Sequence, residues 1–183
     1  MSLSATAATQ LAEGLRDMKL TLPAPVQERL LAYLALLCKW NKTFSLTALQ
    51  AQDKAVSHHL LDSLSILPHV SANSLLDVGS GGGMPGIPLA IVRPDLRVTL
   101  LDSNTKKTAF LQQAAIELGL ANISVHAGRV EQYHPAVGFA AITSRAFAEL
   151  ADFVTLSAHL LADGGGWLAM KGQRPQAEID RLP

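Results

Sequence analysis

Leu75–Ile91 reads LLDVGSGGGMPGIPLAI. Leu75 to Val78 is a short apolar run, as in a strand buried on both faces, and it carries Asp77. Gly79, Gly81, Gly82 and Gly83 follow, and then a helical stretch that opens near Pro85 and runs to about Val92. Glycines let the chain turn sharply and let a ligand approach the backbone closely. The helix start beyond them offers free N–H groups and partial positive charge. Strand, glycine turn and helix in this order predict an α/β fold with a ligand at the strand ends.

The same grammar repeats downstream. Arg97 to Leu101 reads as a second strand, followed by a helix from about Lys106 to Leu118 that stops at Gly119. Ile123 to His126 and Phe139 to Ile142 read as the third and fourth strands, a helix spans about Leu150 to Leu161, and Gly166 to Met170 is the fifth strand. Strands separated by helices imply a mostly parallel, Rossmann-like sheet with right-handed crossovers. Upstream the pattern is helical. Pro25 suits the first turn of a helix, and Val26, Leu30, Leu31, Leu34, Leu37 and Cys38 recur at spacings of three and four. A second helix is expected from about Ala51 to Leu67, ended by Pro68. The expected organisation is an N-terminal helical cap over residues 1–70 and a core over 71–183.

With 49% apolar and 16% charged residues, the chain has enough apolar side chains to build a core and is not disordered. Cys38 is the single cysteine, and the six histidines show no ligand-like spacing, so neither a disulfide framework nor a metal site is expected. No run approaches the ~18 to 20 apolar residues of a membrane helix. Residues 1–10 lack the basic start and apolar stretch of an export signal, which makes the cytoplasm the expected compartment. Fifteen basic residues balance fifteen acidic ones, so composition alone does not point to nucleic acid.

Two kinds of cofactor use a glycine turn of this kind. Gly81, Gly83 and Gly86 match the dinucleotide pattern GxGxxG, but they begin three residues past the strand end. Asp77 would repel a pyrophosphate, whereas S-adenosylmethionine has an α-amino group suited to a nearby acid and a carboxylate suited to N–H groups. S-adenosylmethionine is therefore the preferred ligand, over a nicotinamide or flavin and over a purely structural turn. Asp102, at the end of the second strand, is placed to bridge two ribose hydroxyls. Its alternative is to cap the following helix, a task for which Ser103 and Asn104 compete. The segment after the fourth strand, ITSRAFAEL (Ile142–Leu150), lacks the Pro-Pro-aromatic sequence of amino-group methylation, and no cysteine is available there for attack on a pyrimidine. Guanine N7 fits this absence, since its lone pair carries no proton and needs only alignment with the donor methyl group. The residues alone leave the acceptor open.

Several segments together resemble one family, the 16S ribosomal RNA guanine-N7 methyltransferases known as RsmG or GidB. They are WNKTFSLT (Trp40–Thr47), HLLDSL (His59–Leu64), DVGSGGGMPGIPLAI (Asp77–Ile91), LLDSNTKKTAFL (Leu100–Leu111), GRVE (Gly128–Glu131), SRAFA (Ser144–Ala148) and MKGQ (Met170–Gln173). They stand in family order over most of the chain from about residue 27. The resemblance implies a class I S-adenosylmethionine-dependent methyltransferase that acts, as a monomer, on 16S ribosomal RNA or the small ribosomal subunit. It places Gly79, Gly81 and Met84 at the cofactor, Val130 and Glu131 beside the adenine, Asp102 at the ribose, and Arg145 within reach of the cofactor from the fourth strand. His59, Asp62, Arg145 and Lys171 would border the cleft that receives the RNA base, which makes Arg145, Lys171 and His59 the expected catalytic-site residues.

The sequence departs from the family in two places. Ser45 stands where the family usually has Asn. The family's last two strands do not follow MKGQ, so the C-terminal strands are expected to be truncated and the fifth strand left as a sheet edge. Two rival functions follow: a truncated, catalytically weak RNA- or partner-binding module, and a small-molecule methyltransferase whose helical cap closes on its substrate. If RNA binds, a local basic cluster must hold it, with Lys39, Lys42, Lys54, Lys106, Lys107, Arg145, Lys171 and Arg174 as candidates.

Overall fold

The structure, a computed structural model, describes residues 5–46, 54–145, 147 and 149–182. Thr47 of the first family segment, the expected start of the second helix near residue 51, and Ala146 and Ala148 of SRAFA lie outside the described residues.

Five strands form one sheet: β1 (Ser74–Val78), β2 (Arg97–Asp102), β3 (Ile123–Ala127), β4 (Phe139–Ser144) and β5 (Leu161–Ala169). Their order is β3-β2-β1-β4-β5, and every pairing is parallel. After β1 the chain winds one way to β2 and β3, and then crosses to β4 and β5 on the other side. The C-terminal end of β1 is therefore the switch point, where α/β sheets open a crevice.

Helix α1 (Ala5–Asp17) and the long α2 (Ala24–Phe44) precede the sheet. Helix α2 buries Leu30, Leu34 and Leu37 of the expected stripe, with Tyr33 and Leu36 beside them, while Val26, Leu31 and Cys38 are partly buried. It ends where Ser45 turns left-handed at φ 50° and donates its N–H to the carbonyl of Asn41. The second helix differs from expectation. Val56–Leu61 is π-helical and continues into a single α-turn, α3 (Asp62–Leu64). Pro68 does not terminate it but lies inside a separate 3₁₀ turn, Leu67–His69, at an N-terminal position that requires no N–H. Val56, Leu60 and Leu64 are all buried, so the apolar spacing was informative although the winding was not.

Helices α4 (Gly86–Val92), α5 (Thr105–Glu117), α6 (Leu150–Ser157) and α7 (Gln176–Ile179) complete the order. Asn104 is the N-cap of α5, its side chain accepting from the N–H groups of Lys106 and Lys107. Helix α6 is shorter than expected, and β5 begins five residues earlier than expected, at Leu161. Phe139 pairs with Leu161 but Ala141 with Gly166, so β5 bulges over its glycines. Gly164 takes φ 74°, and a Cβ on Gly165 would stand 3.0 Å from the carbonyl oxygen of Ala140. The glycine run is thus part of the strand rather than its boundary.

The two faces of the sheet bury separate cores. One includes Leu75 of β1 with α1, α2, the π-helical turn, α4 and α5, so the cap and the sheet share it. The other holds Leu76, Val78, Leu101, Val130, Ile142, Phe153 and Leu160 beneath α6.

Candidate active site

A cleft of about 300 Å³ opens at the C-terminal ends of β1, β2 and β3, on the face covered by α6. Gly79 and Asp102 form one edge. Leu101, Val130, Phe147 and Leu156 supply apolar wall, and Glu131 lies at the rim. Gly79 takes φ 70°, a conformation that a side chain would strain, and so leaves bare backbone at the edge.

Asp102 is buried, at the last position of β2. One carboxylate oxygen accepts the Gly81 N–H at 2.9 Å and the other accepts the Asn104 N–H at 2.9 Å. The helix-capping alternative goes to Asn104, while Asp102 holds the glycine turn and the entry to α5. Each of its oxygens retains a lone pair that can accept from the cleft.

Asp77 sits differently. It is fully buried beneath the turn, where Oδ2 accepts the Gly86 N–H at 3.0 Å. Oδ1 has no hydrogen-bond partner among the described residues. Burial pushes the carboxyl up to about 7, against the Gly86 hydrogen bond and the Arg145 charge, which pull it down. The amide expected at the helix start is therefore occupied by Asp77, and Asp77 does not line the cleft. With Gly81 bound to Asp102 and Gly86 bound to Asp77, two of the three glycines of the GxGxxG match already face carboxylates. Neither amide is free to hold a pyrophosphate, which argues against a dinucleotide.

From the cap side, the Tyr33 hydroxyl donates to the Gly82 carbonyl at 2.6 Å. Burial holds that phenol above its ordinary pKa, so it remains a donor. Leu37 packs so closely on Gly82 that a Cβ there would lie 2.9 Å from its side chain.

Of the expected cofactor residues, Gly79, Asp102, Val130 and Glu131 line the cleft. Gly81 is one bond away, through Asp102. Met84 and Arg145 are brought together elsewhere, beside the cap. The Arg145 guanidinium donates to the His58 carbonyl at 3.0 Å and to Asp62 Oδ2 at 2.9 Å, and faces the Met84 sulfur at 3.6 Å. His59, in the same π-helical turn, is only 4% exposed. Burial, with the Arg145 charge second, lowers its imidazole to about 4, so it is neutral near pH 7. Lys171 follows β5 and forms an ion pair with Glu178 of α7 at 2.9 Å. The same Glu178 oxygen accepts the N–H of Leu150 at the start of α6. The cleft thus collects Gly79, Asp102, Val130 and Glu131 of the expected cofactor residues, while Met84 and the expected catalytic residues, Arg145 among them, stand at the cap and at α7.

Phe147 and Leu156 were not singled out in the sequence. Phe147 lies within SRAFA and stacks on Phe153 at 5.4 Å. Helix α6 carries Leu156 to the cleft, and nothing local distinguishes it from an ordinary core leucine.

The cleft suits a nucleoside: a carboxylate for paired hydroxyls, bare backbone beside it, and an apolar wall for a flat ring. A family model described as GidB, rRNA small subunit methyltransferase G, matches residues 26–183. Ribosomal RNA small subunit methyltransferase G of Neisseria meningitidis serogroup C is 61% identical over 175 residues, 95% of this chain and 84% of that one. The protein of the same description from Chromobacterium violaceum is 57% identical over the same shares. Among solved structures, coclaurine N-methyltransferase bound to N-methylheliamine and SAH is similar with a TM-score of 0.56 at 14% identity, over 89% of this chain and 55% of that one. A putative S-adenosyl-L-methionine-dependent methyltransferase of Methanococcus maripaludis gives 0.52 at 19% identity, over 74% and 62%. At these identities the structures attest the fold, and the sequence matches attest the family. The chain belongs to the GidB family, rRNA small subunit methyltransferase G.

Proposed function

We propose that this protein transfers a methyl group from S-adenosylmethionine to N7 of a guanine in 16S ribosomal RNA. The carrying observation is the cleft at the switch point, with Asp102 tied to the glycine turn on one side and open to a ligand on the other. Bound there, S-adenosylmethionine supplies an electrophilic methyl group on a sulfonium. Asp102 would accept from the ribose hydroxyls, Val130 and Leu101 would flank the adenine, and Glu131 would close the rim. Among the described residues no helix is long and apolar enough to cross a membrane. The reading makes the enzyme a cytoplasmic monomer, with residues 1–70 as the cap and 71–183 as the catalytic core.

Guanine N7 loses no proton on attack, so the chain needs to hold the base and exclude water rather than supply a general base. Arg145, Lys171 and His59 fit that requirement as positioning groups. Burial lowers the His59 imidazole to about 4 and makes it a weak base, and the two cations, held by Asp62 and Glu178, carry no free lone pair, so none of the three is tuned as a general base. Arg145 would act where the cap meets the end of β4, beside Met84. Small subunits lacking the modification should take up labelled methyl groups from S-adenosylmethionine. Digestion of the 16S RNA should then place the label in 7-methylguanosine. Label in any other nucleoside, or none in RNA, would overturn the assignment.

A further inference from the structure

We propose that Phe44 is a stacking platform for a single-stranded RNA base, with Lys39, Lys42, Lys106 and Lys107 at the same helix ends, which converge on the glycine turn. The inference rests on the reading that RNA is the substrate and adds where RNA docks.

Among the described residues Phe44 is the one aromatic side chain among the exposed large apolar ones, at 42% exposure. Single exposed apolar residues are ordinary on protein surfaces. This ring is instead propped from behind. Trp40 lies under it at 5.2 Å, and Phe110 of α5 lies beneath Trp40 at 5.6 Å, with Phe110 itself fully buried. The three tilted rings run from the core to the surface and brace the outermost one, as a base-stacking platform requires.

The chain leaving the platform runs to the glycine turn. Phe44 is the last residue of α2, and two residues later the Leu46 carbonyl comes within 3.8 Å of where a Cβ on Gly81 would stand. Gly81 is bonded to Asp102, and Asp102 to Asn104, the cap of α5. The C-terminus of α2 and the N-terminus of α5 therefore converge on the glycine turn.

Both ends are basic. Lys39 and Lys42 lie in the last turns of α2, and Lys106 and Lys107 in the first turn of α5, three and four residues before Phe110. The only acid in α2 is Glu28, and α5 has none before Glu117. Among the described residues none of these four lysines is in an ion pair, whereas Arg145 and Lys171 both are. Cations in the first turn of a helix oppose its dipole. The placement of Lys106 and Lys107 works against the stability of α5 and suits a polyanion. A locally cationic region in a chain of zero net charge, at the same helix ends as an exposed flat ring, complements single-stranded RNA, whose unstacked bases and phosphates offer both matching features.

The test uses the whole chain and a single-stranded RNA of about twelve nucleotides. Phe44→Ala and Phe44→Leu should each weaken RNA binding about tenfold, Phe44→Trp should retain it, and affinity for S-adenosylhomocysteine should not change. Phe44→Leu keeps apolar bulk on Trp40 without the flat face, so it separates stacking from packing. Lys106→Gln with Lys107→Gln should lower the magnitude of the log–log salt slope by about 1.4. RNA affinity within twofold of wild type for Phe44→Ala, or wild-type affinity for Phe44→Leu, would overturn the platform. A wild-type protein that binds RNA through Phe44 but methylates no ribosomal RNA would sink the methyl-transfer reading and leave the platform standing. Methylation with an unaltered KM for RNA in Phe44→Ala would do the reverse.

Discussion

The two faces of the sheet are covered unequally, and the chemistry lies on the thinner side. Among the described residues 28 buried residues form the core on the cap face, drawn from α1, α2, the π-helical turn, α4 and α5 together with the strands and the loops between them. Only eight form the core under α6. The cleft opens into the smaller one, since Val78, Leu101 and Val130 belong to that core and also line the cleft. The thick face carries most of the apolar burial, while the thin face leaves room for a ligand. The contrast predicts that substitutions on the cap face change mainly stability, and that those under α6 change stability and ligand affinity together.

The largest effects should come from Phe153→Ala on the thin face and Leu30→Ala on the thick one, both fully or almost fully buried. Emptying such sites costs about 3 to 5 kcal/mol for Phe and about 2 to 5 for Leu. Denaturant unfolding should show losses of that size for both. Phe153 also supports Phe147 at the cleft wall, so Phe153→Ala should weaken S-adenosylhomocysteine binding in the folded fraction, and Leu30→Ala should not. Equal losses of affinity would mean that the two faces do not divide the work.

The next effect, a pH dependence, concerns Asp77. Its folded carboxyl titrates at about 7, above its value of 3.8 in an unperturbed chain. Between those values the folded protein binds a proton that the unfolded chain has lost. Its contribution is therefore complete below about pH 4 and is lost as pH rises to about 7, amounting to a few kcal/mol. His59 works in the opposite window, because its pKa is depressed from 6.5 to about 4 and its contribution is lost as pH falls through that range. Asp77→Asn leaves the His59 term in place, so subtracting wild type from variant isolates Asp77. The melting-temperature difference, variant minus wild type, should grow from pH 4 to 7 and stay constant above. A flat difference across that range would mean that Asp77 is ionised in the fold throughout.

Much of this contrast was legible in the sequence, and the exceptions have physical causes. The strand with Asp77, the glycine turn and Asp102 at the end of β2 could be read directly, because a buried strand and a forced left-handed turn each leave a local mark. The early start of β5 could not. Its glycines signal a turn by composition, and they become strand only because the close approach of Ala140 and the bulge against β4 require a missing Cβ. The π-helical winding of Val56–Leu61 was equally hidden, since Val56 and Leu60 keep the four-residue spacing of an α-helix. Leu156 and Phe147 reach the cleft through tertiary packing alone, which no local pattern encodes.

A smaller effect should follow from Asp102→Ala. The carboxylate holds two backbone N–H groups and would accept from the ligand hydroxyls, so its loss should weaken S-adenosylhomocysteine binding about tenfold to a hundredfold, or ~1 to 3 kcal/mol. Calorimetric titration of the folded variant checks this. Unchanged affinity would remove Asp102 from the ligand and leave it only as the brace between the glycine turn and α5.

The smallest effect tests where the two faces touch. Tyr33 belongs to the cap-face core, yet its hydroxyl is the hydrogen-bond donor to Gly82 within the turn that leads to the cleft. Tyr33→Phe preserves the ring and its packing and removes only that donor. The Gly82 carbonyl then lies under the cap without its partner, at a cost of about 1 to 2 kcal/mol, less than emptying a core site. If the thick face steadies the thin one through this bond, the loss should be local as well as global. Hydrogen exchange at the Gly83 and Met84 amides, both bonded to the Ser80 carbonyl inside the turn, should quicken more than exchange in α5 or β2. Ligand affinity should fall slightly, because a looser turn must be ordered on binding. Uniform quickening across the whole chain would instead mean that Tyr33 contributes only to overall stability and that the turn is held from the Asp102 side.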